Sequence, residues 1–416
     1  MSQSTDFDLT SSQTAEFDLT TVAFKSNPYP ILARLRTHDP VYQYTSSPDG
    51  QSTWLITRYE DAEIVLRDER FVKDKQSTLP PEERAPSAGP APSVSDLFDL
   101  GMLKFDPPDH TRLRKVVNLF FTPRATEQWR ESVQRISDEL IDKVESQKRM
   151  DLIEDFASVL PIRIISEMLG VPAEDSMQLH LWTKRIADAL DDPAAFEQVA
   201  SDLQAFYTYL LALVEKKRQA STDDLVCKLM HASVEGDQLT ERELVAMIFL
   251  LILAGHETTT NLIGNGILAL LTHPEQKQLL QAQPELIKPA IEEFLRYLAP
   301  FTITTHRWAR EDVEMRGKLI RHGDAVLVSL AATNRDENKF DHPDTLDITR
   351  QENPHIAFGK GVHYCLGAPL ARLEGQIAIN TLLRRLPAMQ LDIEPEALVW
   401  RTGSTVLGVN HLPVTF

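Results

Sequence analysis

The chain has 416 residues, 42% hydrophobic and 25% charged, and carries 61 acidic against 43 basic side chains for a formal net charge of −18. That length and composition describe a globular chain able to bury a large core in one or two domains, and the acidity argues against nucleic acid or an anionic membrane as partner. The two cysteines, Cys227 and Cys365, lie far apart in sequence, so they offer no disulfide framework and suggest a reducing, cytoplasmic setting.

Met1 to Asp8 is polar and acidic, with no basic segment running into an apolar one, and does not read as a signal peptide. Phe-Asp-Leu-Thr occurs at Phe7 and again at Phe17. Residues 1–20 are expected to form a poorly ordered tail, and residues 21–416 a single domain. Residues 41–44 and 53–57 alternate as strands of a small sheet, and residues 59–67 read as a helix. Residues 76–95 contain Pro80, Pro81, Pro86, Pro90 and Pro92 and are expected to hold no regular structure. A loop of that length is either functional or a plain connector. Further on, Trp129, Val133, Ile136, Leu140 and Val144 recur at helical steps and define one buried stripe. Residues 160–169 form a helix stopped by Gly170, with Pro172 beyond. Residues 175–190 and 194–217 form a helix pair broken at Asp192-Pro193. Residues 240–271 form an unusually long helix opened by a capping box, Thr240 with Glu243. Its apolar stretch, 244–255, is too short to span a bilayer and reads as buried core. Strands return at 313–315 and 325–329, and residues 405–416 read as a closing hairpin. Helices dominate: the fold class is mainly α with small β-sheets (α+β).

Cys365 sits in Phe358-Gly359-Lys360-Gly361-Val362-His363-Tyr364-Cys365-Leu366-Gly367, a glycine-punctuated loop running into a helix. The residues alone leave two readings. One is a buried free cysteine in a structural turn. The other is a thiolate metal ligand, with glycines that let the backbone approach a flat group and helix N–H groups that favour S⁻. A second weak spot lies at Ala254-Gly255-His256-Glu257-Thr258-Thr259-Thr260, where a glycine and three threonines interrupt the long helix. Thr258 can bond back to the Ala254 carbonyl and bend it. Glu293 and Arg296 lie three apart on one helix face, as do His110 and Arg114 four apart.

The loop resembles the haem-binding signature of the cytochromes P-450, the haem-thiolate monooxygenases. The pattern Phe-x-x-Gly-x-x-x-Cys-x-Gly is matched at Phe358, Gly361, Cys365 and Gly367, and the likeness extends over almost the whole chain. The resemblance implies the P-450 fold, with the long helix crossing the haem. It implies heme b (iron protoporphyrin IX) as cofactor, with Cys365 as metal ligand and the loop residues Phe358 and Gly359 beside it. Ala254 and Gly255 would form the groove for dioxygen, while Thr258 and Glu257 would deliver protons there. His256 falls at a tolerant position and is read as non-catalytic. His110, Arg114, Arg307 and His363 would contact the haem propionates. Glu293, Arg296 and Arg350 would form a buried structural network. The proline-rich loop would act as substrate lid, placing Leu97 and Phe98 at the pocket, with the helix pair 175–217 as its roof and residues 301–304 on its wall. Arg112, Lys115 and Lys360 could form a basic patch for a redox partner.

No Gly-x-Gly-x-x-Gly, phosphate loop or Cys-x-x-Cys is present, so electrons must come from outside. The resemblance points to ferredoxin and ferredoxin reductase as electron donors. The expected activity is insertion of one oxygen atom from dioxygen into a small apolar substrate. Polyketide, terpenoid or steroid, and fatty acid all fit, with secondary metabolites favoured. A peroxide-driven hydroxylase and a haem carrier or sensor are the alternatives, and the acid–alcohol pair Glu257-Thr258 counts against both. The chain is expected to act as a monomer, without nucleic acid or membrane.

Overall fold

The structure, a computed structural model, describes residues 24, 27–45, 52–85, 89, 91–189, 193–220, 222–401 and 405–416. The expected tail, 1–20, and Asp192 at the expected helix break lie outside the described residues.

Helix α1 (Tyr29–His38) leads into strands β1 (Val41–Thr45) and β2 (Ser52–Ile56), and α2 (Tyr59–Arg67) follows. β2 lies parallel to β8 (Ala325–Val328), and with β5 (Arg307–Ala309) and β3 (Phe71–Val72) they form one sheet of order β1-β2-β8-β5-β3. All four residues of β8 are buried, as a strand covered on both faces requires. This sheet brings the early segment around Phe71 against the late segment around Trp308.

The helical part is built around α8 (Glu241–Thr272). The Thr240 side chain accepts from the Glu243 N–H while the Glu243 side chain accepts from the Thr240 N–H, so the expected capping box opens it. α8 packs on α5 (Val159–Leu169), α6 (Ser176–Ala189), α7 (Ala200–Gln219) and α10 (Ala368–Arg385). The stripe on α4 (Arg130–Val144) is buried at Val133, Ile136, Leu140 and Val144. α5 stops at Gly170, whose φ of 66° needs a residue without Cβ. α3 (Asp109–Asn118) and α9 (Ile287–Tyr297) carry the remaining site residues.

Four expectations need correction. Residues 76–95 are not wholly irregular, since Lys75–Thr78 and Pro81–Glu83 form 3₁₀ turns. Pro81 suits the first position of such a turn because its fixed φ is already helical. α8 is not interrupted at Ala254–Thr260: Thr258 Oγ1 donates to the Ala254 carbonyl at 2.8 Å and Thr260 Oγ1 to that of His256 at 3.0 Å, within an unbroken helix. At 32 residues α8 is long and apolar enough to cross a membrane by length and composition, although 72% of its most apolar window is buried inside the fold. Residues 405–416 are not a self-contained hairpin. β10 (Pro413–Thr415) pairs with β4 (Arg149–Asp151) and β9 (Gln390–Leu391). An isolated two-stranded ribbon is marginal in water, and the fully buried Val414 gains its partners from distant strands instead.

Candidate active site

The Cys365 loop is held by its backbone. Cys365 N–H donates to the Phe358 carbonyl at 2.9 Å, Gly359 N–H to that of Ile356 at 2.8 Å and Tyr364 N–H to that of Gly361 at 3.1 Å. Gly361 has φ of 73°, and a Cβ there would lie 2.4 Å from the Leu66 carbonyl oxygen at the end of α2. Only glycine fits. Phe358 is clamped by Arg372, whose guanidinium carbon lies 4.6 Å from the ring centre. α10 begins directly after Gly367. Burial pushes the Cys365 thiol up, while the N–H groups of Gly367 and Ala368 and the cations Arg114 and Arg372 pull the other way. Burial wins, against the expectation that the helix N-terminus would favour the thiolate. A bound metal ion reverses this balance, because a coordinating thiol loses its proton outright.

A second group of side chains gathers nearby from three segments. His110 and Arg114 come from α3, Arg307 from β5 and His363 from the cysteine loop. The His110 and His363 rings lie 4.2 Å apart. Both nitrogens of each ring, and Nε of Arg307, are buried without a hydrogen-bond partner. Burial, helped by Arg114, drops His110 to about 4. Burial also lowers Arg307 to about 10. Arg114 donates to the Val362 carbonyl at 3.3 Å and feels the Cys365 sulfur. The sequence-predicted propionate residues therefore converge, next to the cysteine loop.

On α8, Ala254 is exposed while most of the helix is buried. A Cβ added at Gly255 would meet nothing within 4 Å, so the expected groove is open. Glu257 is 5% exposed and ion-paired with Arg401, which also pairs with Asp188 at the end of α6. Burial opposes the Glu257 charge, but His256 and Arg401 outweigh it and hold the carboxyl below its ordinary value. Glu257 borders a polar cavity of about 250 Å³ lined also by Glu154, His180, Lys184, Asp188 and Arg401. His256 is fully buried: its ring lies 3.1 Å from His180, 2.9 Å from the Thr183 hydroxyl and 3.1 Å from the Ser158 carbonyl. It faces away from the groove's chemistry into α5 and α6.

The Glu293 network forms as expected. Arg296 meets both Glu293 oxygens at 2.7 and 2.8 Å, Arg350 adds a contact at 3.1 Å and Asn353 another at 3.0 Å. The sequence reading missed its neighbour Glu292, which holds Arg372 at 2.7 Å and His355 at 3.0 Å. Glu292 thereby ties α9 to α10 and to the clamp on Phe358. It also missed Arg401 and Lys73. The expected basic patch does not stand free. Arg112 pairs with Glu243, Lys115 with Glu235 and Lys360 with Glu63. Cys227 is buried near Thr222 and the Lys217 carbonyl, as a bystander.

A haem fits these residues. It brings an iron for the loop cysteine and two carboxylates for the orphaned nitrogens. Gly359, with φ of 69°, and Gly367, where a Cβ would stand in contact with the Cys365 sulfur at 4.0 Å, keep side chains off this part of the loop.

The sequence profile described as Cytochrome P450 matches residues 35–391. The chain is 46% identical over 368 residues to cytochrome P450 CYP107DY1 of Priestia megaterium, covering 87% of this chain and 89% of that protein. It is 40% identical over 394 residues to the polyketide biosynthesis cytochrome P450 PksS of Bacillus subtilis, covering 94% and 96%. The solved structure of PksS superposes with a TM-score of 0.89 over 96% of this chain and 99% of that one. The 6-deoxyerythronolide B hydroxylase of Saccharopolyspora erythraea is 38% identical over 400 residues, covering 95% and 98%. With its cysteine loop, its pocket of unpartnered buried nitrogens and these likenesses, the chain belongs to the cytochrome P450 family and is a haem-dependent monooxygenase.

Proposed function

We propose that the protein oxygenates an apolar, polyketide-type secondary metabolite, using electrons from a ferredoxin and its reductase. The observation that carries this is the aromatic wall above α8. Phe98 meets Phe249 at 5.2 Å and Phe196 at 5.8 Å, Phe206 meets Phe249 at 5.4 Å, and Trp182 stacks on Phe206 at 5.3 Å. Phe206 and Phe249 are closed off in the core, while Phe98 from the lid region and Phe196 and Trp182 from the roof are half-buried, so an apolar molecule would meet aromatic surface from the lid and the roof. The names of PksS and of the 6-deoxyerythronolide B hydroxylase support the polyketide class. Residues 21–416 are read as one domain, supported by strand pairs such as β4 with β10 that join distant parts of the chain.

In this reading Cys365 is the sole protein ligand of the iron, and Phe358 and Gly359 shape the loop around it. His110, Arg114, Arg307 and His363 hold the two carboxylates. When bound, the haem supplies the iron centre that takes up dioxygen and electrons. The chain's own residues do the rest. Ala254 and Gly255 leave space for dioxygen. Thr258 can turn its hydroxyl from the Ala254 carbonyl toward that space, and Glu257 can pass it protons from the polar cavity. One oxygen atom enters the substrate, and the other leaves as water with two electrons and two protons. A buried acid beside an alcohol suits this proton demand, which a peroxide-driven enzyme or a haem carrier lacks.

The test is optical titration of the haem-loaded protein with macrolactones, steroids and fatty acids. A low- to high-spin shift with macrolactones is expected. Shifts with steroids or fatty acids alone would replace the polyketide assignment.

A further inference from the structure

Lys73 follows β3 and is only 6% exposed. Its ammonium donates to the Thr305 carbonyl at 2.8 Å, to the Thr305 hydroxyl and to the His306 carbonyl at 2.9 Å. All three of its donors are thus used on neutral oxygens. Burial drives its pKa well below the ordinary lysine value, and Arg307 pushes the same way. Asp106 opposes both, but its oxygens already accept the backbone N–H groups of Lys73, at 2.9 and 3.0 Å, and of Asp74, at 2.9 Å.

The charges do not balance. Lys73, Arg307 and Arg114 are three cations, and Asp106 is one carboxylate acting among them. Two positive charges are left over, and because Lys73 and Arg307 are buried and Arg114 half-buried, the surplus sits where an uncompensated charge is unfavourable. A methionine at position 73 would fill similar space without that cost. Two is also the number of carboxylates on heme b, whose ferric ion, porphyrin dianion and cysteine thiolate together sum to zero.

We propose that Lys73 is a positioning and charge-balancing residue of the haem carboxylate pocket. It fastens the backbone at 305–306, from which Arg307 enters the pocket, and supplies the third positive charge. This rests on the assignment of His110, Arg114, Arg307 and His363 to the haem carboxylates.

The haem-loaded Lys73→Met, Lys73→Arg and Thr305→Ala proteins test it. Two quantities are read: the rate of haem transfer to apomyoglobin, and the ferric–ferrous midpoint potential from a redox titration. Lys73→Met should release haem about tenfold faster, ~1.4 kcal/mol. Its potential should move to more negative values, because a lost positive charge disfavours adding an electron. Lys73→Arg should restore both. Thr305→Ala removes a neutral partner but no charge, so it should leave the potential in place. Wild-type rate and potential in Lys73→Met would overturn the proposal, as would an equal potential shift in Thr305→Ala. Should Lys73→Met fail to fold, Asp106→Asn takes its place. It enlarges the positive surplus and should shift the potential to less negative values, and no shift or the opposite one sinks the idea. If Arg307→Ala also keeps its haem at the wild-type rate, the pocket assignment itself has failed. If only Lys73→Met behaves as wild type, the failure is confined to Lys73.

Discussion

Two buried polar clusters, one around Glu293 and one around Arg307, both use arginine, yet they are finished differently. Around Glu293 every charge is answered. Arg296 has both carboxylate oxygens plus the carbonyls of Asn334, Pro343 and Thr345, and Arg350 closes the other side. Around Arg307 the pocket is left open: five nitrogens of His110, Arg307 and His363 are buried without partners. Native proteins rarely bury polar atoms unpaired. A closed cluster therefore serves the fold, and an open one is shaped for something the chain does not itself contain.

Mutations can break this contrast. The largest effect should come from Arg296→Ala, which removes the bidentate partner of the Glu293 carboxylate at 0% exposure. A loss of ~3–5 kcal/mol is expected, seen as little or no haem-loaded protein on expression; normal yield and loading would undo the distinction. Cys365→Ser should next abolish the strongly red-shifted ferrous–CO Soret band while the far-UV circular dichroism stays folded. Arg307→Met should work in opposite directions on the two forms. Haem release accelerates about tenfold (~1.4 kcal/mol), whereas the haem-free chain loses a buried orphan charge and melts no lower than before. A drop in the haem-free melting temperature would show that Arg307 belongs to the closed kind. Thr258→Ala should keep haem but divert reducing equivalents to hydrogen peroxide, measured as product formed per NADPH consumed.

Glu374 sharpens the comparison with the smallest effect. It is buried on α10 with Oε2 unpaired, and burial pushes its carboxyl up from 4.5 to about 8. It stays neutral near pH 7 and so needs no counter-ion. Its folded value lies above its unfolded one, so its contribution to stability is full below about 4.5 and is lost as pH rises toward about 8. Glu374→Gln should flatten the fall of melting temperature over that window, and an unchanged slope would place the titration elsewhere.

The contrast also explains what could be read from the sequence. The Cys365 loop, the capping box at Thr240 and the Glu293–Arg296 pair depend on local spacing or on a short pattern; the capping box and the ion pair form as read, and His110 and His363 come together beside the cysteine loop. Lys73, Glu292 and Arg401 did not stand out, because their roles depend on partners 232, 80 and 144 positions away. Strands such as β3 and β9 hold two residues each, too few for an alternating pattern to appear. The tail around β10 was misread because its partners, β4 and β9, are set by the whole fold rather than by its own turn residues.

The contact of Gly361 with Leu66 has a temporal side. The two residues are separated by most of the chain, so α2 leaves the ribosome long before the loop that will brace it exists. Contacts this distant form late and slowly. Capture of the prosthetic group must accordingly be one of the last events of maturation, and a chain stalled or cleaved before Gly367 would be born without the means to hold it.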